Sequence, residues 1–85
     1  MKDEFELLYN DYFKILKILK DTTQTIDNIS FSPISYEEIG NKLHLTKQTI
    51  IKHMSVLKEE GYVVQIKKGR LQVTEKGLRA LKKMS

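Results

Sequence analysis

The sequence predicts an α+β fold in which three helices precede a two-stranded β-hairpin and a short C-terminal helix. Three observations carry this prediction. Apolar residues recur at helical spacing in three segments, and apolar and polar residues alternate on both sides of Lys68-Gly69. A threonine suited to capping a helix, Thr74, follows the second alternating run. The chain has 85 residues, and we expect residues 1–85 to form a single domain.

The first helix is predicted over residues 3–20, DEFELLYNDYFKILKILK, which contain no glycine or proline. Acidic residues open this segment and lysines close it, as the helix dipole favours. Its main apolar stripe comprises Phe5, Leu8, Tyr9, Tyr12, Leu16 and Leu19, but Leu7, Ile15 and Ile18 lie off that stripe. An arc this wide exceeds what one small core covers, so the helix is either sandwiched within the monomer or covered by a second copy. We favour the second copy and predict a homodimer through residues 1–20, assisted by the last helix.

Residues 21–34, DTTQTIDNISFSPI, are rich in Thr, Ser, Asn and Asp and contain the chain's single proline. This composition predicts a loop. We expect Ile29, Phe31 and Ile34 to anchor the loop to the core, with Ile34 in a short strand as an alternative.

The second helix is predicted over residues 36–43, with Ile39 and Leu43 facing inward. Ser35 and Glu38 have the spacing of a capping box, in which each side chain bonds a backbone amide at the helix start. Gly40 lies inside this helix, where glycine costs about 1 kcal/mol relative to alanine, so we expect another helix backbone to pass close to it.

The third helix is predicted over residues 47–60, between the N-cap Thr46 and the terminating Gly61. At about 100° per residue, Ile50, Met54 and Leu57 fall on one inward stripe, with His53 beside it. The outward side carries an amide, ammonium groups, a hydroxyl and one aliphatic residue: Lys47, Gln48, Ile51, Lys52 and Ser55. Side chains of these types donate or accept at base edges and reach phosphates, and an exposed isoleucine suits a thymine methyl group.

The hairpin is predicted over residues 62–74, with Val64 and Ile66 alternating on one strand and Leu71 and Val73 on the other. The C-terminal helix, residues 75–84, should place Leu78 and Leu81 inward. Three cations crowd the hairpin turn: Lys67, Lys68 and Arg70.

Charge is distributed unevenly along the chain. Residues 1–38 hold eight carboxylates and four lysines, whereas residues 39–85 hold eleven basic and three acidic residues. This asymmetry favours a polyanionic partner for the second half. The chain has two histidines and no cysteine, and no phosphate-binding glycine motif is present. We therefore expect no enzyme activity, cofactor, metal or small-molecule ligand.

Residues 37–63, EEIGNKLHLTKQTIIKHMSVLKEEGYV, are similar to the helix-turn-helix of winged-helix transcription regulators. The segment VTEKGLRAL resembles the one that follows the wing in MarR-like proteins. The two departures are His44, at a turn position that is usually glycine, and a short hairpin without the long C-terminal dimerisation helices of MarR proteins. Histidine tolerates the left-handed backbone of such a turn better than most residues.

The resemblance implies a winged helix-turn-helix with residues 35–60 as the helix-turn-helix and residues 62–74 as the wing. Double-stranded DNA is the implied partner. Third-helix residues assigned to DNA are Lys47, Gln48, Ile51, Lys52 and Ser55. Thr46 or Thr49 would bond a phosphate, although helix capping alone also explains Thr46. In the wing, Lys67, Lys68 and Arg70 would reach flanking phosphates or the minor groove, unless these cations only keep the turn soluble.

The expected function is sequence-specific DNA binding by a small prokaryotic transcriptional repressor. An accessory DNA-binding role at a plasmid, phage or conjugative-transfer origin is the first alternative, and a winged helix that docks proteins is the second. No apolar run reaches the roughly 20 residues that span a bilayer, and the acidic N-terminus does not resemble a signal peptide. A cytoplasmic location without a membrane partner is therefore expected.

Overall fold

A computed structural model describes residues 11–84. Its elements in chain order are α1 (Phe13–Asp21), β1 (Gln24–Ile26), β2 (Ile29–Phe31), α2 (Tyr36–Leu43), α3 (Lys47–Glu59), β3 (Val63–Lys67), β4 (Arg70–Val73) and α4 (Glu75–Met84). Strands β1 and β2 form one antiparallel hairpin, and β3 and β4 form the wing. None of the helices in residues 11–84 combines the length and apolarity that a membrane crossing requires.

Helix α1 has one side buried within the monomer over the residues described. Ile15, Leu16 and Leu19 are all fully buried in the core that α2, α3 and β4 complete. Ile15 was expected off the main stripe, yet the monomer itself covers it, so this part of the wide apolar arc needs no second copy. The rest of the predicted first helix, with Phe5, Leu7, Leu8 and Tyr9, lies outside the described residues.

The loop predicted over residues 21–34 is wrong in part, because β1 and β2 form a hairpin there with Thr25 opposite Ser30. Asp27 and Asn28 make its two-residue turn, and both have positive φ angles, 54° and 67°. Aspartate and asparagine tolerate this left-handed conformation, which matches the twist of the flanking strands. Ile29 is also not an anchor, since 50% of its surface is exposed beside the turn.

The helix-turn-helix follows the predicted capping. Ser35 and Glu38 form both bonds of the capping box at the start of α2. His44 ends that helix in the left-handed conformation with φ 59°. A Cβ on Gly40 would stand 2.6 Å from the carbonyl oxygen of Leu45, so the close neighbour of Gly40 is the turn itself rather than another helix. The glycine allows α2 to fold back tightly onto the start of α3.

Helix α3 is seated by its inward stripe. Ile50, Met54 and Leu57 are buried in the core, as predicted. Gly61, with φ 81°, lies just beyond the end of α3, where the amide of Tyr62 donates to the carbonyl of Leu57. Such bonds satisfy the last carbonyls of a helix and turn the chain into the next element.

The wing has the predicted two-residue turn, with Lys67 opposite Arg70 and Gly69 at φ 76°. Val64 and Ile66, the alternating apolar residues noted on the first strand, do not face the core. Val63 is buried, whereas Val64 is 41% exposed, because Val63 pairs with Val73 on the core side of the hairpin. The register then shifts between Gln65 and Lys67, so Ile66 lies at a bulge and is also exposed.

Thr74 precedes helix α4 and caps it, since its hydroxyl accepts a hydrogen bond from the amide of Gly77 at 3.1 Å. Gly77 and Leu81 face the core, while Leu78 is 42% exposed, so the inward placement predicted for Leu78 is wrong. A Cβ on Gly77 would collide with the carbonyl oxygen of Tyr62. The helix therefore packs on its glycine side, which rotates Leu78 outward.

Candidate nucleic-acid interface

The outward side of α3 is a continuous exposed surface. The five third-helix positions assigned from the sequence are all exposed: Lys47, Gln48, Ile51, Lys52 and Ser55. At about 100° per residue they span an arc of roughly 140°, in which Gln48, Lys52 and Ser55 lie opposite the buried stripe and Lys47 and Ile51 lie on its flank. Ile51 is 43% exposed, next to the fully buried Ile50. Within residues 11–84, no hydrogen bond or ion pair engages the side chains of Gln48 or Lys52. These groups are therefore available to a ligand.

The two threonines at the start of α3 bond each other. The Thr46 hydroxyl accepts from the Thr49 amide at 3.2 Å, and the two hydroxyl oxygens are 2.9 Å apart. Thr46 thus acts as the N-cap, which satisfies one of the unpaired amides of the first helical turn. Thr49 is half-buried, and Thr46 is exposed. A phosphate bound by either hydroxyl would therefore use a group that already takes part in this cap.

The wing carries its three cations at and beside the turn, and all three are exposed: Lys67, Lys68 and Arg70. Lys68 occupies the turn itself, next to Gly69, and Lys67 faces Arg70 across it. The structure brings the wing close to α3, since Lys47 and Lys68 line the same open depression of about 470 Å³. Glu37 of α2 lines this depression too, so its charge is mixed.

One contact that ties α3 to the wing was not anticipated from the sequence. Lys58 Nζ donates to Gln65 Oε1 at 2.9 Å and lies 5.9 Å from the centre of the Tyr36 ring. Lys58 therefore links the end of α3 to β3 and to the start of α2. No local sequence signal identifies this contact, because its partners are joined only by the tertiary fold.

The β1–β2 hairpin supports the wing on its other side. The backbones of Ser32 and Leu71 exchange hydrogen bonds at 2.6 and 3.0 Å, and Gln72 Nε2 donates to the carbonyl of Ser30 at 2.8 Å. The Arg70 guanidinium lies 4.6 Å from the centre of the Phe31 ring. The Asp27-Asn28 pair between two alternating runs was the signal that could have revealed this hairpin.

His53 of α3 contacts Asp11 and Tyr12, the two residues that precede α1. The His53 Nε2 atom is 3.3 Å from an Asp11 carboxylate oxygen, but the geometry is not that of a hydrogen bond. The His53 and Tyr12 rings pack edge to face with centres 4.7 Å apart. Burial, and to a lesser degree the Asp11 carboxylate, raise the pKa of Tyr12 above its ordinary value of 10.0. Together the three side chains form a partly polar contact between α1 and α3.

In the part of the chain that the structure describes, no three His, Cys, Asp or Glu side chains are grouped as metal ligands would be.

Comparisons with known proteins agree on the fold. A family model described as an HTH domain matches residues 12–79. The chain is 45% identical over 49 residues to an uncharacterized protein of Methanocaldococcus jannaschii, a match that covers 58% of this chain and 19% of that protein. The chain thus spans about a fifth of the length of this relative.

Two solved structures superpose on the chain. The M. tuberculosis transcriptional regulator MosR gives a TM-score of 0.71 at 21% identity, covering 88% of this chain and 51% of its own. The reduced (Fe(II)) CO-sensing protein from R. rubrum gives a TM-score of 0.76 at 23% identity, covering 99% of this chain and 40% of its own. At these identities the likeness shows the fold alone, and it confirms the α+β winged helix-turn-helix predicted from the sequence.

Proposed function

The chain belongs to the helix-turn-helix domain family, whose model it matches over residues 12–79, and on that premise we propose that it is a sequence-specific double-stranded DNA-binding regulator. The observation that carries this proposal is the surface of α3. One side of the helix is buried in the core through Ile50, Met54 and Leu57, while the other side carries exposed amide, ammonium and hydroxyl groups. Its carboxylates, Glu59 and Glu60, follow at the C-terminal end.

In this proposal α3 enters the major groove, which is wide enough to admit a helix. Gln48 is the best candidate for reading a base edge, because a side-chain amide both donates and accepts. Lys47 and Lys52 supply charge to phosphates, and Ile51 is suited to a thymine methyl. Ser55 and the two capping threonines complete the surface. The wing, with Lys67, Lys68 and Arg70, contacts flanking backbone or the minor groove.

Binding is tested by mobility shift over a range of salt concentrations, first with random duplex and then with a selected site. Neutralising about six to eight phosphates would make the affinity fall steeply with salt. Lys68→Ala should weaken binding on all sequences and reduce the salt slope by about one. Gln48→Ala should instead change the discrimination between sites.

The matched control is Lys42→Ala, which removes the same charge from an exposed position on α2, outside both the proposed DNA surface and the proposed dimer contact. It should leave the affinity nearly unchanged. If Lys42→Ala and Lys68→Ala weaken binding equally, net charge rather than the proposed surface accounts for the affinity. A parent protein that binds no duplex at low salt would favour the protein-docking alternative instead.

Within DNA binding, we propose transcriptional repression in the cytoplasm, by occupation of a promoter. The accessory role at a plasmid, phage or transfer origin uses the same surface. Mapping of occupied genomic sites separates the two roles, since promoters are expected for a repressor and replication or transfer origins for an accessory factor.

The proposal includes a homodimer through the N-terminal helix, with α4 contributing. Its support is a groove between α1 and α4 lined by Phe13 and Leu81, with the exposed Leu78 beside them. Lysines border this groove, and the N-terminal ten residues carry Asp3, Glu4 and Glu6 as complementary charges. A two-fold dimer would present two recognition helices to half-sites about 34 Å apart.

Light scattering at micromolar concentration tests the dimer. Leu78→Lys should shift the protein towards monomer, whereas Ile29→Lys, at a similarly exposed position on the β1–β2 hairpin, should not. A parent protein that is monomeric throughout this range contradicts the dimer but leaves binding to a single half-site intact.

A further inference from the structure

We propose that Phe31 is a positioning residue that seats the Arg70 guanidinium as a clamp for a backbone phosphate of DNA. This inference rests on the proposed DNA binding and deepens it. It assigns Arg70 to the backbone rather than to the minor groove, and it gives the β1–β2 hairpin a role in recognition.

Phe31 is an unusual buried residue. It is only 3% exposed, and it is buried beside the main hydrophobic cluster rather than within it. Neighbouring residues of a strand point to opposite faces. The next residue, Ser32, meets Thr22 at the end of α1, with their hydroxyl oxygens 2.6 Å apart. Phe31 therefore points away from α1, towards the side of the wing that carries Arg70.

The Arg70 side chain covers the Phe31 ring. Its guanidinium carbon lies 4.6 Å from the ring centre, within the range of a cation–π contact. A guanidinium placed over a ring keeps its N–H groups at the edge of the contact, where they remain free to donate. Those donors match two phosphate oxygens, which a lysine ammonium does not do in the same bidentate way.

Phe31 is itself held in place from both sides. The Ser32 backbone pairs with Leu71, and Gln72 reaches the carbonyl of Ser30. The residues before and after Phe31 are thus both tied to β4, the strand that starts with Arg70. The bridge between Ser32 and Leu71 joins the segments that carry the ring and the guanidinium, so the fold places these two groups side by side.

This arrangement favours a contact of Arg70 with a backbone phosphate over its insertion into the minor groove. A side chain that enters the minor groove must extend away from the wing, whereas Arg70 lies folded against the sheet, one residue beyond Gly69. Lys67 and Lys68 are exposed too, and within the described residues neither of them lies over an aromatic ring. Arg70 is therefore placed to hold the backbone beside the groove, and Lys68 to reach further.

A double-mutant cycle that measures DNA affinity tests whether Phe31 positions the Arg70 guanidinium. Phe31→Leu should weaken binding about threefold in the parent and have no further effect in the Arg70→Ala background. Phe31→Tyr keeps the ring and should bind as the parent does. Thermal unfolding of each variant monitors the fold. Equal losses from Phe31→Leu in both backgrounds would show that the ring acts through general stability, which overturns the proposal.

A second variant keeps the test decisive if Phe31→Leu does not fold. Arg70→Lys preserves the charge and leaves Phe31 in place, but it removes the planar head, and we expect an affinity loss of at least threefold. Affinity equal to that of the parent would contradict the clamp.

The phosphate assignment has its own measurement. Replacing guanosine by inosine removes an amino group from the minor groove and leaves the backbone and the major-groove pattern unchanged. The affinity ratio between parent and Arg70→Ala should be the same on both duplexes, whereas a ratio that changes places Arg70 in the minor groove. A parent protein that binds neither duplex would refute DNA binding itself. That outcome is distinct from a double-mutant cycle in which the parent binds DNA and Phe31→Leu has the same effect in both backgrounds.

Discussion

Helix α3 and the wing are both proposed to contact DNA, but the fold holds them in different ways. Three fully buried side chains of α3 lie in the centre of the core. The wing has Val63 and Leu71 in the core, but its outer half is held by contacts near the surface: Lys58 with Gln65, Arg70 with Phe31, and Gln72 with Ser30.

These two kinds of support differ in energy. Burying one large aliphatic side chain contributes about 1.5–3 kcal/mol, whereas an exposed polar contact contributes about 0–1 kcal/mol. The position of α3 is therefore inseparable from the stability of the fold. The outer half of the wing, in contrast, should change position or mobility with little effect on global unfolding.

Adjacent isoleucines test this contrast most strongly. Ile50→Ala should lower the free energy of unfolding by about 2–4 kcal/mol, because it opens a cavity in the core. Ile51→Ala should change it by less than about 1 kcal/mol, since that side chain is 43% exposed, while weakening specific DNA binding. Urea unfolding and mobility shift measure the two effects. Similar stability losses for the two variants would break the assignment of inward and outward faces.

Substitution of one glycine in the helix-turn-helix and one in the wing tests the same contrast at the backbone. Gly40→Ala should destabilise the protein by about 1–3 kcal/mol, because the new methyl would overlap the Leu45 carbonyl and push α2 from α3. Gly69→Ala meets no atom within 4 Å and only strains the left-handed turn of the wing, at roughly 1 kcal/mol. Thermal unfolding ranks them. A larger loss for Gly69→Ala would contradict the weaker coupling of the wing tip to the core.

The capping threonine distinguishes folding from binding within α3. Thr46→Ala should cost about 1 kcal/mol of stability through loss of the N-cap. Thr46→Asp caps equally well but adds a negative charge where a phosphate is proposed, so it should retain stability and lose DNA affinity. Chemical unfolding and titration of labelled duplex are compared for both variants. Unchanged affinity in Thr46→Asp would show that no phosphate lies near the start of α3.

The smallest effect concerns the contact between α1 and α3. Because the pKa of Tyr12 is raised in the folded protein, the unfolded chain loses this proton first. The stability that Tyr12 contributes is therefore complete below about pH 10 and is lost as the pH rises through the folded-state pKa. Tyr12→Phe lacks this ionisation, so its urea midpoint should fall less than that of the parent between pH 9 and about 11. Parallel pH profiles would contradict the raised pKa of Tyr12.

The features that were predicted correctly from the sequence each depend on a few neighbouring residues. The capping box of α2 needs only Ser35 and Glu38, and the inward stripe of α3 needs only the 3.6-residue period. The tight turn of the wing likewise follows from Lys68-Gly69. Each pattern is local, so backbone geometry decides it before any tertiary contact forms.

The errors arose where packing between distant segments selects among similar local choices. Val63 and Val64 both suit a strand, and the path of the chain after Gly61 decides which of them is buried. Leu78 belongs to a regular apolar pattern, yet the close approach of Gly77 to Tyr62 rotates α4 away from it. The β1–β2 hairpin was hidden because Thr, Ser and Asn are frequent in loops as well as in short paired strands.

For the proposed DNA surface, the sequence alone determined which residues of α3 face outward, because a helix with one buried stripe leaves the opposite side to solvent. Only the tertiary structure decided how the wing is supported. Lys58 and Gln65 are seven residues apart along the chain, and Phe31 and Arg70 are separated by two helices and a strand. Their contacts depend on distances through space, which helical period, strand alternation and turn chemistry do not encode.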